Sequence, residues 1–409
     1  MSVLLAALLA LAQGKQDPVP VRITYDDTLR FGTADGSFEG QLGGFIRVHG
    51  RAIHDRPDDE ALPVRVLPDS LYLRQARIET AGTYSRDWGY RLSADFRTVA
   101  FDPATDAVER ESALRDAWFE WKRHPAFVIR FGQYFAPCTG EEMSTSRHME
   151  FADRNPLVRL MPGRELGLEV YGSLLEDDLR YFVMVSNGGA LVNDQGRSVS
   201  DSDDEKELSG VVFVRPLPFL RLGAGGSVSS VDDLDAREFD LVTTELIVQW
   251  LESTAGTFDG RRRRLDLSLL AHGGPASLRA ELLWRRDELK GSPEDELRSG
   301  GWALSASWLV TGEEKVPDRR PSPASEWGAL EAALRVSRVR VPNAFESGLA
   351  GPGNSEGVTA CTLAATWWIG RHLRLSLDVV RELYDDPLDF DTRSEDALTG
   401  LVFRGQADF

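Results

Sequence analysis

Apolar and polar residues alternate one by one along much of this chain, and the last nine residues show the pattern at its clearest. Leu401, Phe403, Ala407 and Phe409 share one parity, while Arg404, Gln406 and Asp408 share the other. Successive side chains of a strand point to opposite faces. A terminal strand of this kind, closing on an aromatic residue, suits a wall with lipid on one side and water on the other. Half-buried strands of soluble proteins show the same dyad, so the reading turns on recurrence.

The dyad recurs every 15 to 30 residues from position 41 onward. Sixteen segments carry it: 43–51, 71–84, 88–99, 113–122, 127–133, 166–174, 179–187, 208–215, 220–231, 264–271, 277–287, 301–311, 327–339, 358–369, 372–382 and 398–409. In the third, Tyr90, Leu92, Ala94 and Phe96 share one face, and Arg91, Ser93, Asp95 and Arg97 share the other. Short turns such as Arg86-Asp87 and His272-Gly273-Gly274-Pro275 alternate with long polar connections. That alternation fits short periplasmic turns at one rim and longer external loops at the other. Leu241 to Leu251 is rich enough in β-branched residues to be a strand, but single-chain bacterial barrels have even strand numbers. It is therefore assigned to a long loop.

The expected fold is all-β: a closed antiparallel transmembrane barrel of about 16 strands. A tilted strand needs roughly 9–11 residues to cross the hydrocarbon, and sixteen of them with their connections account for 409 residues. Charged residues make up 27% and mean hydropathy is −0.28, values that a barrel tolerates because half of each strand faces water. No stretch after residue 20 has the roughly 18 consecutive apolar residues of a spanning helix. Trp and Tyr near segment ends, among them Tyr72, Tyr84, Trp88, Trp118, Trp308, Trp367 and Trp368, fit interfacial girdles.

Three domains are expected. Val3 to Ala12 is apolar and ends in the cleavage pattern Ala10-Leu11-Ala12, which reads as a signal peptide over 1–12 although no Lys or Arg precedes it. Residues 13–37 read as a periplasmic lead-in and 38–409 as the barrel.

Net charge is −18, which argues against a nucleic-acid partner because phosphate neutralisation needs clustered basic residues. The acid gathers in three clusters, 201–207, 232–240 and 385–396, read as solvated loops. Cys138 and Cys361 do not make a disulfide scaffold. The chain lacks zinc-ligand spacing, a P-loop and a dinucleotide fingerprint, so no cofactor and no metal are expected. Ser146, His148 and Asp153 are the residues a hydrolase reading would use, but nearness in sequence is not triad geometry.

Several stretches resemble, in order, elements of the phosphate-selective porin O/P family. They are Leu71-Tyr72-Leu73-Arg74-Gln75-Ala76-Arg77-Ile78; Arg130-Phe131-Gly132-Gln133-Tyr134-Phe135-Ala136-Pro137; Asp259-Gly260-Arg261 through to Glu281; Trp302 to Glu313; Trp327 to Glu331; and Thr366-Trp367-Trp368-Ile369 with Arg374. The similarity runs from about residue 38 to 409. Phe135 stands where the family pattern has a lysine, and Arg74-Gln75 where it has two arginines. The resemblance implies an outer-membrane porin of a Gram-negative-type bacterium that passes small hydrophilic solutes passively, phosphate or other anions among them. It also implies that the segment from Phe135 to Arg164 folds into the lumen as the constriction loop, and that homotrimers form. No catalytic residue is expected. The rival reading is a barrel plugged by its loops, serving as a surface binding or structural protein.

Selectivity in such a pore comes from its width and its charged rings. Parity places Arg77, Arg91, Arg97, Arg130, Arg279, Arg285, Arg335, Arg374 and Arg404 on lumen faces with Glu79, Asp95, Asp116, Glu120, Glu169, Glu281, Glu331 and Asp378. The inward loop adds Arg147, Arg154, Arg159 and Arg164. Arg77, Arg91, Arg97, Arg130, Arg147, Arg154, Arg159, Arg164, Arg279, Arg335 and Arg374 are the candidate pore-lining and constriction residues. The wall is near charge balance. Arg261 to Arg264 spans a loop–strand junction, where contact with the rim or with lipid headgroups is expected as readily as a pore role.

Overall fold

The computed structural model describes residues 19–409 apart from 27, 58–64, 67, 97–99, 103–106, 110–113, 139, 189–203 and 236–238. The expected signal peptide, Arg97, and Asp201, Asp203 and Glu238 of the acidic clusters lie outside the described residues.

Sixteen long strands form the barrel. They begin with β1 (Phe38–His54), β2 (Ser70–Tyr84), β3 (Trp88–Asp95), β4 (Leu114–His124), β5 (Phe127–Phe135) and β6 (Arg164–Leu174). Next come β7 (Leu179–Ser186), β8 (Glu207–Leu217), β9 (Leu220–Asp235), β10 (Thr257–Gly273) and β11 (Ala276–Lys290). The last are β12 (Glu296–Leu309), β13 (Ala329–Arg340), β14 (Gly357–Ile369), β15 (Leu373–Asp389) and β16 (Ser394–Asp408). All neighbours pair antiparallel, and the terminal strand pairs with the first from Thr399↔His54 to Asp408↔Phe45, which closes the wall. The seam ends at Phe409, whose backbone exchanges hydrogen bonds of 2.8 and 3.0 Å with Gly44. A Cβ at Gly44 would meet the Arg77 carbonyl at 2.2 Å and the Phe409 ring at 2.7 Å. Glycine therefore lets the terminal aromatic lie flat on the seam.

Alternation decides which side of the wall is wet. On β15, Leu373, Leu375, Leu377 and Val379 are exposed outward, while Arg374, Ser376 and Asp378 are buried inward. A guanidinium on the lipid side would cost roughly 2–4 kcal/mol at the membrane midplane. Not every aromatic joins the outer girdles: Tyr72, Trp118 and Trp368 turn inward, against His49, Arg130 and Glu331.

One rim has short connections, 85–87, 125–126, 175–178, 218–219, 274–275 and 370–372; the other carries the long ones, 55–69, 96–113, 136–163, 187–206, 236–256 and 341–356. The exception on the short-turn rim is 310–328, which bends back into the barrel. Ahead of β1, Val21–Tyr25 and Leu29–Thr33 form a hairpin that pairs with its first residues through Leu29↔Leu42 to Gly32↔Glu39.

The lumen is not evenly wet. Leu157, Leu160 and Met161 of the third long loop pack with Leu246, Val248 and Trp250 of 236–256 and with Val341, Ala344 and Leu349 of 341–356. Leu283, Leu297, Val339, Val358, Val380 and Val402 meet them from the wall. This apolar mass lies toward the long-loop rim, where Ile53, Val231 and Phe258 also join it from β1, β9 and β10. Leu241 to Leu251 is indeed loop, but its ends form a two-stranded hairpin, Leu241–Val242 with Gln249–Leu251, turned inward.

Candidate functional site

The third long loop has little regular structure, so its backbone groups need partners inside the barrel. The chain supplies them from the wall. Gly132, at φ +128°, lets β5 pass where a Cβ would meet the Ala117 carbonyl at 2.1 Å. Gln133 donates to the carbonyls of Leu114 and Arg115 at 3.2 and 3.0 Å. Ala136 N–H donates to Gly163 O at 2.9 Å and closes the loop's base. Within the loop, the one-turn helix Gly140–Met143 is capped by Glu281, which accepts from Glu141 N–H at 2.6 Å. Asn155 caps the 3-10 turn Pro156–Leu160 and donates to Glu281 at 2.8 Å.

Wall arginines then hold the loop's carbonyls. Arg374 donates to Glu150 O and Phe151 O at 3.3 Å. Arg404 donates to Phe151 O and Ala152 O at 3.2 Å, and Arg264 to Leu160 O at 2.9 Å. Arg335 donates to Asp153 O at 3.1 Å and pairs with Glu245 of the 236–256 loop at 2.7 Å. From the opposite rim, Lys315 of the inturned 310–328 segment bridges Glu150 at 3.0 Å and Glu331 at 2.5 Å. Burial opposes charge on Glu150, but Lys315 and Arg279 outweigh it and hold the carboxyl at about 2. Burial lowers Lys315, yet Glu150 and Glu331 raise it above its ordinary value. The Lys315–Glu150 pair therefore stays ionised at neutral pH.

A cavity of about 350 Å³ remains between the near face of this loop and the inner wall of β1–β6. Nine arginines line it, at positions 47, 74, 77, 91, 115, 130, 147, 154 and 164, against five carboxylates, Glu79, Asp95, Asp116, Asp153 and Glu169. The near balance of the wall as a whole thus hides a local excess of four positive charges. Arg91 sits 2.7 Å from Glu79, Arg164 3.0 Å from Asp116, Arg74 3.2 Å from Asp153 and Arg130 3.1 Å from Glu169. Phe135, which replaces a lysine of the family pattern, carries the Arg164 guanidinium 3.8 Å above its ring and Arg154 at 5.4 Å. The lost charge is replaced by two stacked cations.

Of the eleven candidates, Arg77, Arg91, Arg130, Arg147, Arg154 and Arg164 line the cavity. Arg335 and Arg374 face inward elsewhere and clamp the loop, while Arg279 pairs with Asp318 of the inturned segment at 3.2 Å. Arg159 lies half-buried on the 3-10 turn. Sequence reasoning missed Arg47, Arg74 and Arg115 as lumen residues. Arg47 was legible, since Ile46 beside it faces outward. The other two depend on β-bulges, where an extra residue upsets the dyad. The register jumps between Arg47↔Gln75 and Val48↔Leu73, so Arg74 and Gln75 both face the lumen. It jumps again between Ser93↔Asp116 and Ala94↔Leu114, which brings Arg115 in beside Asp116.

Arg261 to Arg264 does not act as one patch: Arg262 pairs inside with Asp287 at 2.5 Å and Arg264 with Glu207 at 2.9 Å, while Arg261 and Arg263 face out. Glu207, read as part of an acidic loop, is buried in that pair. Asp153 pairs with His49 at 3.4 Å, and the Nδ1 of His148 lies 3.3 Å from Asp318 O, so Ser146, His148 and Asp153 do not assemble as a triad. Cys138 and Cys361 are both free thiols.

Comparison with known proteins agrees with this geometry. The family described as phosphate-selective porin O and P matches residues 65–406. Porin O of Pseudomonas aeruginosa is 21% identical, over 93% of this chain and 93% of its own length. Among solved structures, the OmpT of Vibrio cholerae superposes with a TM-score of 0.58 at 9% identity, covering 95% of this chain and 100% of that one. The outer-membrane channel DcaP of Acinetobacter baumannii gives 0.56 at 13% identity, over 92% and 99%. An anion-selective porin from Comamonas acidovorans gives 0.53 at 13% identity, over 91% and 100%. Family and fold point to a channel rather than an enzyme.

Proposed function

The chain belongs to the phosphate-selective porin O and P family of outer-membrane porins, and from that premise we propose that its lumen passes small anions, phosphate among them. One observation carries the reading: nine arginines against five carboxylates on the cavity beside the third loop. In a confined space, that excess attracts an anion more strongly than it would at an open surface. Guanidinium pairs present the forked donors that match phosphate oxygens. Arg77, Arg91, Arg130, Arg147, Arg154 and Arg164 line the path in this reading, joined by Arg47, Arg74 and Arg115. The solute moves by exchange between these groups, without covalent chemistry and without a cofactor. Residues 1–12 act as the signal peptide, 13–37 as the periplasmic lead-in, and the working form is a homotrimer in lipid. A trimer form is described for the Vibrio OmpT.

Recording from purified protein in planar bilayers tests the reading. Discrete conductance steps are expected, with chloride current reduced by added phosphate. Steps indifferent to phosphate would remove phosphate from the proposal.

The apolar mass of the three inturned loops favours a second reading, a plugged barrel that binds or scaffolds at the surface. An intact, heat-modifiable barrel with conductance near zero supports that reading instead.

A further inference from the structure

The run Arg261-Arg262-Arg263-Arg264 is only half used by the lumen. Arg263 faces outward at the long-loop rim and stands directly opposite Arg286 of β11, which in turn stands opposite Arg298 of β12. Their side chains are 56%, 64% and 55% exposed. Like charges placed directly across a sheet destabilise it, so three arginines in one row call for a counter-charge. The protein supplies too little. Glu288 lies 3.8 Å from Arg263. Glu296 is shared, at 3.5 Å from Arg286 and 3.0 Å from Arg298. Outward-facing Arg340 on β13, beside the row, has its own partner in Asp385 at 3.8 Å and does not draw on the two glutamates. The row sits just above the apolar belt: Trp284, 49% exposed, precedes Arg286 by two residues on the same face, and Trp302 and Leu304 follow Arg298. Tryptophan marks the level of the headgroups, and charge on a barrel's lipid side is tolerated there but not at midplane.

We propose that the outer face of β10–β12, at its long-loop rim, binds the phosphate groups of anionic lipid in the outer leaflet. The row presents three forked donors at headgroup depth, the geometry that favours bidentate phosphate contact. Lipid fits better than free phosphate because the exposed apolar belt directly beneath the row, with Trp284, Trp302 and Leu304, suits acyl chains. This site lies on the opposite side of the wall from the cavity and does not depend on which solute the lumen passes.

The test uses the whole detergent-folded porin and native mass spectrometry with bis-phosphorylated lipid A, with its dephosphorylated form as the comparison. The wild type is expected to retain the phosphorylated form preferentially. The triple variant Arg263→Gln, Arg286→Gln, Arg298→Gln is expected to lose about tenfold or more in apparent affinity, and the corresponding triple Lys variant, which keeps the charge but loses the forked donors, to fall between it and the wild type. Heat-modifiable migration and single-channel conductance report folding independently, and Arg286→Gln alone is the readout should the triple variant fail to fold. Equal retention by wild type and Gln variant overturns the proposal, as does equal retention of the dephosphorylated lipid. Displacement of the lipid by millimolar inorganic phosphate overturns the assignment to lipid. A changed oligomeric state with unchanged lipid retention would make the row a contact between copies and likewise overturn it.

Discussion

At the scale of single residues, the cavity depends on where two β-bulges fall. An unbroken dyad would send one residue of each polar pair into lipid; the bulges turn Arg74 with Gln75, and Arg115 with Asp116, to the same side. Arg164 is the most telling position, stacked on Phe135 and paired with Asp116. Its replacement by alanine removes one cation and releases one carboxylate. At separations near 4 Å, even in bulk water, one charge is worth ~1 kcal/mol. The anion-to-cation permeability ratio of Arg164→Ala should therefore fall roughly fivefold, read as a shift in reversal potential. An unchanged ratio would place the permeation path elsewhere.

At the scale of elements, the third loop is held from three directions, and the Lys315 bridge is the hold from the short-turn rim. Lys315→Met leaves Glu150 and Glu331 buried without their cation, a loss of about 3–5 kcal/mol for a buried pair. The expected result is a lower midpoint in heat-modifiability assays and noisier open-channel current. A quiet channel with wild-type stability contradicts it. Acid acts on the same loop through His148, which burial lowers to about 4. The unfolded chain binds a proton near pH 6.5 and the folded one only near 4. The stability this neutral histidine contributes is thus complete above about 6.5 and is lost as pH falls toward 4. Glu245, raised by burial, works in the opposite direction. The readout is therefore the difference between wild type and His148→Gln, whose stability should depend less on pH within that window. The strands were legible because a two-residue period survives any loop: the segment read as 179–187 is observed as Leu179–Ser186, and Leu220 to Val231 lies within Leu220–Asp235. The inturned loops were not. Leu246, Val248 and Trp250 carry a strand-like pattern, and only packing against Leu157 and Val339 shows that they turn inward. The resemblance anticipated the inward third loop, but no local signal announces that 310–328 enters from the other rim.

At the scale of the whole molecule, a net charge of −18 coexists with a cationic cavity. The two are compatible because water and salt screen exposed loop acids beyond roughly 10 Å, while the lumen cations act at contact distance. In the proposed channel, the inturned apolar loops confine the solute to the arginine side. The reversal potential of a single channel in a potassium chloride gradient is the most direct test of this arrangement. The account predicts a sign set by chloride, with the cavity arginines rather than the acidic loops in control. A potential of the sign set by potassium would contradict it.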